Sequence, residues 1–169
     1  MSYKSIRKLT VAGLLVAVAV VGSLFSIPVL GAKCSPVQHM VNVLAAVLLG
    51  PWYALGMGFA ASLLRNLLGL GSLLAFPGSM IGALLCGLLY KACPKLPVAY
   101  VGEVFGTGVL GGMASYPIAA TLMNNATAAL FTFVPSFLVS TVVGAAISVF
   151  VLVALKRTNT FSTLEGALR

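Results

Sequence analysis

One stretch of the chain, Cys34-Ser-Pro-Val-Gln-His-Met-Val-Asn42, contains a thiol, a hydroxyl, two amides and the only histidine. Polar side chains are costly in lipid unless they meet a partner or line a cavity. A helix that begins near Pro36 would place Gln38, His39 and Asn42 on one face, because residues three and four apart are helix neighbours. That face is either a binding site or a set of hydrogen bonds that joins helices, and the stretch alone leaves both open.

The composition around this stretch is that of an integral membrane protein. The 169 residues are 60% hydrophobic, include two acidic residues and have a mean hydropathy of +1.12, which excludes an ordinary soluble domain. The net charge of +8 does not indicate nucleic-acid binding, because the ten basic residues lie where hydrophobic runs end and form no patch. Three cysteines, one of them inside an apolar run, predict no disulfide framework.

The hydrophobic runs predict an all-α fold with six transmembrane helices. The predicted spans cover residues 9–30, 37–49, 51–68, 74–90, 98–123 and 133–155. Together they predict one membrane domain over residues 1–157, followed by a polar tail over 158–169 with no strong pattern. The first span follows basic residues as a signal peptide does, but its run is too long for one, so we expect it to be retained.

Two of these spans have unusual features. The second is only about 20 Å long, shorter than the hydrocarbon core of a bilayer. A short loop over residues 31–36 precedes it, and Gly50-Pro51 separates it from the third span, where an aromatic pair predicts a turn at the membrane interface. The fifth span contains five glycines and a proline, which predicts an irregular helix packed closely against others.

The basic residues predict the orientation of the chain in the cytoplasmic membrane. With six spans, eight of the ten fall on the side of both termini, and only Lys33 and Arg65 fall on the other. The positive-inside rule then makes both termini cytoplasmic. The eight are Lys4, Arg7, Lys8, Lys91, Lys95, Lys156, Arg157 and Arg169. The polar stretch therefore opens to the outside, where a nutrient arrives.

Several candidate residues have a functional and a structural interpretation. His39 with Cys34 is too small a set for zinc, so we expect no metal, and His39 is better suited to hydrogen-bond a neutral heteroaromatic ligand. Glu103 is the only acid within a span, but it lies about 8 Å from the predicted cytoplasmic end, where pairing with a lysine such as Lys91, Lys95 or Lys8 is favoured. Arg65 is expected to extend to the headgroups.

A second group of candidates lies at the predicted outer ends of the last two spans. An aromatic wall and polar contacts over the site would come from Tyr116, Asn124, Asn125, Phe131 and Phe133, although each is also typical of an interfacial or loop residue. The sequence has no phosphate-binding loop of the ATPase type and no catalytic serine, histidine and acid set. With Glu103 and His39 expected near opposite faces, we predict neither enzymatic activity nor a cofactor.

Several motifs resemble those of one transporter family, in order and over residues 5–157. They read Cys34-Ser-Pro-Val-Gln-His-Met-Val-Asn-Val43, Leu48-Leu-Gly-Pro-Trp-Tyr53, Phe76-Pro-Gly-Ser-Met-Ile-Gly82, Gly102-Glu-Val-Phe-Gly-Thr-Gly108 and Ser115-Tyr-Pro117. With these motifs the chain resembles the ThiW family, the thiazole-specific substrate-binding subunits (S components) of energy-coupling factor (ECF) transporters.

The resemblance implies capture of a thiamine precursor, hydroxyethylthiazole, from outside. Delivery would require a membrane coupling protein, EcfT, with two ATP-binding cassette ATPases. The family's Ala-x-x-x-Ala motif, which packs on the coupling protein, reads Gly13 and Ala17 here. Gln38, His39 and Asn42 would hold the ligand, with Cys34 and Ser35 in a loop over it. The pyrimidine precursor or thiamine as ligand, a self-sufficient secondary transporter and a structural membrane protein remain alternatives.

Overall fold

A computed structural model of the protein describes residues 3–29 and 32–168. It contains eight α-helices, a short 3₁₀ turn, a β-hairpin and a π-helical segment within this described part of the chain. In order they are α1 (Tyr3–Gly22), the 3₁₀ turn (Ser23–Phe25), β1 (Ile27–Val29), β2 (Ala32–Cys34), α2 (Pro36–Leu49), α3 (Pro51–Leu67), α4 (Ala75–Ala92), α5 (Leu96–Glu103), the π-helical segment (Val104–Gly111), α6 (Gly112–Thr121), α7 (Val134–Arg157) and α8 (Thr160–Leu168).

The predicted all-α membrane architecture is confirmed, whereas the number of crossings stays a prediction. Four helical stretches are long and apolar enough to cross a bilayer: Tyr3–Phe25, Ala75–Ala92, Leu96–Thr121 and Val134–Arg157. The third of these joins α5, the π-helical segment and α6 into one stretch. The helices α2 and α3 have 14 and 17 residues, and α2 is about 21 Å long. Helix α2 is therefore as short as the sequence predicts.

Proline and glycine fix where α2 and α3 begin and end. Pro36 and Pro51 occupy the first turn of these helices, a position at which the missing amide hydrogen is not needed. Between the helices Gly50 has a φ of +89°, which side-chain-bearing residues rarely adopt. The predicted break at Gly50-Pro51 is therefore confirmed, and the two helices form a tight pair.

The structure differs from the sequence prediction at two places. Instead of a first helix that continues to residue 30 and a loop over residues 31–36, α1 ends at Gly22, and strands β1 and β2 form an antiparallel hairpin in which Ile27 pairs with Cys34. Instead of a tail without pattern, α8 packs its buried Leu168 against the bundle, and Arg7 of α1 donates to the carbonyl of Ala167 at 3.4 Å. Both ends of the described chain therefore lie at one end of the bundle. Leu30, Gly31 and Arg169, which the predictions included, lie outside the described residues.

Helix α4 and the π-helical segment pack backbone against backbone. A Cβ on Gly106 would lie 2.9 Å from the Cα of Gly82, and a Cβ on Gly111 would lie 2.6 Å from the Cα of Gly78. Only glycine permits such contact on both sides. The fifth predicted span is therefore closely packed and irregular, as its composition predicts, and π-helical geometry of this kind is frequent at functional sites.

Candidate substrate site

A narrow polar cavity lies between β2 and the ends of α2, α3, α4 and α7. Its volume is about 30 Å³, room for about two water molecules. A ring-sized ligand therefore requires the lining side chains to move outward. The cavity is lined by Lys33, Cys34, Ser35, Gln38, His39, Arg65, Ser72, Leu74, Ala75, Ser79, Ser136, Phe137 and Ser140.

The polar residues of α2 face the interior of the bundle. Gln38, His39 and Asn42 are 2%, 7% and 0% exposed, so the predicted common face is a buried one. Its side chains meet two different neighbours. Gln38 Oε1 accepts a hydrogen bond from Arg65 Nη1 of α3 at 2.9 Å, whereas His39 and Asn42 both contact Glu103 at the end of α5. Gln38 and His39 line the cavity, and Asn42 lies one turn deeper.

Glu103 is the centre of a buried hydrogen-bond network. Its Oε1 lies 3.0 Å from His39 Nδ1, Asn42 Nδ2 and Thr107 Oγ1, and the carboxyl group is fully buried. Asn42 Nδ2 and Thr107 Oγ1 donate to Oε1, and His39 Nδ1 shares a hydrogen bond with the same oxygen. A second acceptor position, Gly78 O, also binds the Thr107 hydroxyl at 3.1 Å. The network therefore fixes the orientation of the His39 ring.

Glu103 pairs with His39 and not with a lysine, contrary to the prediction, and the expected placement of these two residues near opposite faces is wrong. Asn42 lies about 10 Å before the end of α2 at Leu49, and Glu103 lies about 10 Å after the start of α5 at Leu96. The two side chains are thus at one depth, although the sequence predicts them at opposite ends.

Arg65 does not extend to the headgroups, contrary to the prediction. Its side chain is 3% exposed and lies in the cavity wall. The loop after α3 folds back over it, because the amides of Leu70 and Gly71 both donate to the carbonyl of Arg65, at 2.8 and 3.0 Å. Lys33 donates to the carbonyl of Gly69 in the same loop at 3.4 Å. The two basic residues that the sequence places on one side therefore lie at the same cavity.

Cys34 and Ser35 connect the hairpin to α7. Cys34 Sγ donates to the carbonyl of Ser136 at 3.2 Å, and the Ser35 amide donates to Ser140 Oγ at 2.9 Å. Burial raises the pKa of the Cys34 thiol, and a hydrogen bond with Ser140 offsets part of that effect. The thiol is therefore protonated at neutral pH and serves as a hydrogen-bond donor.

Buried polar atoms without a partner are concentrated around this cavity. Among the described side chains, five such atoms belong to the cavity wall or to the network behind it. In native proteins most buried polar atoms are hydrogen-bonded, so a cluster of exceptions indicates a place where a ligand supplies the partners. The five are Ser35 Oγ, Gln38 Nε2, Asn42 Oδ1, Arg65 Nε and Glu103 Oε2.

The other predicted site residues lie elsewhere, outside the cavity lining. Tyr116 is partly exposed on α6, and Asn124 lies in a loop with a φ of +50°. Asn125 uses its Oδ1 to accept from the amide and hydroxyl of Thr127. Phe133 is 3% exposed and packs against Leu74, which lines the cavity, but Phe133 itself is not part of the lining. The structure therefore brings together the α2 residues, Cys34 and Ser35, whereas these four lie outside the cavity lining.

Four serines in the cavity wall were not predicted: the half-buried Ser72 and three buried ones. Ser79 of α4 and Ser136 and Ser140 of α7 are all buried and line the cavity. A signal was present, because Ser136 and Ser140 are four residues apart on one face of an otherwise apolar helix.

Within the described part of the chain, no three side chains of the metal-binding types lie together.

The predicted partner motif lies on the opposite side of α1 from the core. Gly13 and Ala17 are exposed, whereas Ala12 and Ala19 of the same helix are buried. Gly13 borders an open apolar groove of about 600 Å³ between α1 and α3, which also contains Trp52 and Gly56. The exposed side of α1 is apolar, and it presents the larger side chains of Leu14 and Val18 beside these two small residues.

Comparison with known proteins identifies one family. Residues 9–158 match the family model described as thiamine-precursor transporter protein (ThiW). No curated protein and no solved structure matches the chain.

Proposed function

The chain belongs to the ThiW family of thiamine-precursor transporters, and from that premise we propose that it captures hydroxyethylthiazole from outside the cytoplasmic membrane. The family is one of transporters, so we assign the chain no enzymatic activity. The observation that carries the substrate proposal is the buried cavity, in which amide, imidazole and hydroxyl groups converge and several polar atoms have no partner. A small heteroaromatic ring with a hydroxyl group offers both a donor and an acceptor to such a wall.

The residues of α2 have different roles in this proposal. Gln38 and His39 line the cavity, and the unpartnered Gln38 Nε2 is a donor for the ring nitrogen or the hydroxyl oxygen. Asn42 and Glu103 act as positioning residues, because they hold His39 from behind. Cys34 and Ser35 lie at the end of the hairpin that covers the cavity, and outward movement of the hairpin would admit the ligand.

Binding of radiolabelled hydroxyethylthiazole to the purified protein tests the proposal. We expect Gln38→Ala and His39→Ala to weaken binding by about tenfold or more, the equivalent of about 1.4 kcal/mol each. Asn42→Ala should weaken it less, because the residue acts through Glu103. Asn125→Ala, in a loop outside the cavity lining, is the matched control. Unchanged affinity in the first two variants would remove them from the site. A panel with the pyrimidine precursor and thiamine decides between the alternative ligands.

Delivery into the cell is proposed to need EcfT and two ATP-binding cassette ATPases. The support is the exposed small-residue face of α1 at Gly13 and Ala17, beside an apolar groove that the chain itself does not fill. Both termini are proposed to be cytoplasmic, with the cavity on the outer side. Uptake into cells that carry ATPases with inactivated nucleotide sites tests this coupling, and we expect no accumulation of the ligand.

One observation favours a second candidate, a self-sufficient secondary transporter. Such proteins couple transport to a buried ionisable group, and the pair of Glu103 and His39 is buried within the bundle. Uptake that persists with inactive ATPases and depends on the proton gradient would support this candidate. The family assignment leads us to rank it second.

A further inference from the structure

We propose that the outer half of the cavity is a subsite for an anionic group, so that the ligand bound most tightly is a thiazole with a carboxylate or phosphate substituent. The inference rests on the proposed function and deepens it, because it names the charge of the ligand. Arg65 is the central contact of this subsite, which we call the anion subsite. It consists of Arg65, Lys33, and the helix ends that carry Ser35, Ala75 and Ser136.

The first argument is the unbalanced charge of Arg65. Its guanidinium group is buried, yet its hydrogen-bonding partner is the neutral amide oxygen of Gln38. Its Nε has no partner, and no carboxylate among the described residues contacts it. Arginine does not lose its proton under ordinary conditions, so burial cannot be relieved by neutralisation. A buried charge of this kind needs a counter-ion.

The chain has no carboxylate to spare for this role. Its two acidic residues are Glu103 and Glu165. Glu103 already accepts from His39, Asn42 and Thr107 through one oxygen. Glu165 lies on α8, which follows the end of α7, whereas the cavity lies at the start of that helix of 24 residues, about 36 Å away. The counter-ion for Arg65 is therefore expected from outside the chain.

A second cation stands at the entrance. Lys33 is exposed, lines the same cavity and donates to the carbonyl of Gly69, which is a neutral acceptor. An exposed lysine next to a buried arginine attracts anions toward the entrance. The buried arginine then makes the close contact with the anion. The order of the two charges from the surface inward fits a ligand that enters with its anionic group near the mouth.

The third argument is the direction of three helices. Ser35 precedes α2, Ala75 begins α4, and Ser136 lies in the first turn of α7, so three helix N-termini meet at one cavity. None of these helices has an acidic residue in its first turn or a side-chain cap. The positive ends of the helix dipoles are thus not compensated by the chain. Together with Arg65 and Lys33 they form a positive region that favours an anion.

The two ends of the cavity then select two parts of one ligand. The anion subsite takes the charged group, while His39, held by Glu103, and Ser79 lie on the side toward the hydrogen-bond network and face the ring. Gln38 lies between them, because its Oε1 binds Arg65 and its Nε2 is unpartnered. A phosphate ester on the hydroxyethyl arm, or a carboxylate on the ring, satisfies both ends.

The test measures binding of four probes to the purified full chain. They are hydroxyethylthiazole, its phosphate ester, a thiazole carboxylate and inorganic phosphate. We expect at least one anionic thiazole to bind about tenfold or more tightly than the neutral compound. Comparison of the two anionic thiazoles identifies the group. Arg65→Gln should abolish the preference, and Arg157→Gln, which removes an exposed cation at the far end of α7, should keep it.

The outcomes separate this inference from the proposed function. If the neutral thiazole binds as tightly as both anionic ones, the anion subsite is wrong and the substrate proposal stands. If no thiazole binds but inorganic phosphate protects the wild type and not Arg65→Gln against thermal unfolding, the substrate proposal is wrong and the anion subsite stands. Should Arg65→Gln fail to fold, Arg65→Lys replaces it, and its retained charge should keep a weakened preference. A preference unchanged in Arg65→Lys would mean that the positive charge alone, and not the guanidinium group, selects the anion.

Discussion

A Cβ added to Gly82 of α4 would overlap Thr107 Oγ1 of the π-helical segment, whereas a Cβ added to Gly13 of α1 would meet nothing within 4 Å. Gly82 lies at a buried contact between helices, directly beside the network of Glu103, and its Cβ would also lie 3.0 Å from Glu103 Oε2. Gly13 borders an open apolar groove. Both regions use glycine. At Gly82 it lets two helices pack closely around polar side chains, and at Gly13 it leaves an open surface.

The difference explains why the two regions have opposite chemistry. Close backbone contact at Gly82 and Gly106 excludes side chains and brings α4 and the π-helical segment near enough for Thr107, which also contacts Glu103, to donate to the carbonyl of Gly78. The network behind the cavity therefore depends on small residues as much as on polar ones. At Gly13 small size serves no contact within the chain, which is consistent with a surface for another helix.

The largest effect is expected from alanine at Gly82. Gly82→Ala should destabilise the protein by about 1–3 kcal/mol, because the added methyl group has no space and displaces Thr107. Thermal unfolding in detergent measures the loss, and ligand binding should decrease with it. Gly13→Ala is the matched control, and it should be neutral or stabilising by up to about 1 kcal/mol, since alanine favours a helix. Equal midpoints for the two variants would contradict the distinction between the regions.

A larger side chain on the open face should affect transport and leave binding unchanged. Gly13→Leu and Ala17→Leu add bulk to an exposed helix face, so we expect loss of uptake in cells that contain EcfT and its ATPases. Binding by the isolated subunit should stay within about twofold of the wild type. Leu14→Ala, on the exposed side of the same helix, controls for general surface change. Parallel loss of binding and uptake would mean that this face belongs to the core.

A third prediction concerns the network itself. Glu103→Gln keeps the size of the side chain but replaces a carboxyl oxygen by an amide NH₂ group, which cannot accept a hydrogen bond, within the network of His39, Asn42 and Thr107. We expect ligand affinity to decrease by more than about tenfold, because His39 loses its fixed orientation. Equilibrium binding measures this decrease in ligand affinity. Glu165→Gln removes the other acidic residue and should have no effect, so a similar loss there would indicate a general charge effect.

Much of the fold was predictable from the sequence because it depends on local signals. Hydrophobic runs located the helices, and Gly50-Pro51 located the break between α2 and α3. The polar residues of α2 were predictable as a group because they share one helix face. The hairpin was not predictable, since strands of three residues carry too little pattern.

The partners of the polar residues were not predictable, because they depend on relative depth. The contact of His39 with Glu103 joins residues 64 positions apart, and it follows from how α2 and α5 are placed relative to each other along the bundle. Sequence counting assigned each residue a depth from its own helix end and so separated the two. Arg65 was misplaced for a similar reason, because the loop that covers it folds back through backbone hydrogen bonds that no side-chain pattern indicates.

The smallest expected effect concerns the thiol at the entrance. Burial raises the pKa of Cys34, so at a given pH less of it is thiolate than of a thiol with the ordinary pKa, and alkylation should need a more alkaline pH. Cys93 lies partly exposed in the turn after α4 and serves as the internal reference. We expect iodoacetamide to modify Cys34 more slowly than Cys93 at neutral pH, as measured for each site by mass spectrometry.

The same experiment also compares the cavity with the rest of the surface when ligand is added. A bound ligand that holds the hairpin closed over the cavity should slow modification of Cys34 further, by about twofold to tenfold, because reaction requires local opening. Modification of Cys93 should be unaffected by ligand. Faster modification of Cys34 in the presence of ligand would indicate that the hairpin opens when the site is filled. The hairpin would then be an exit path and not a cover.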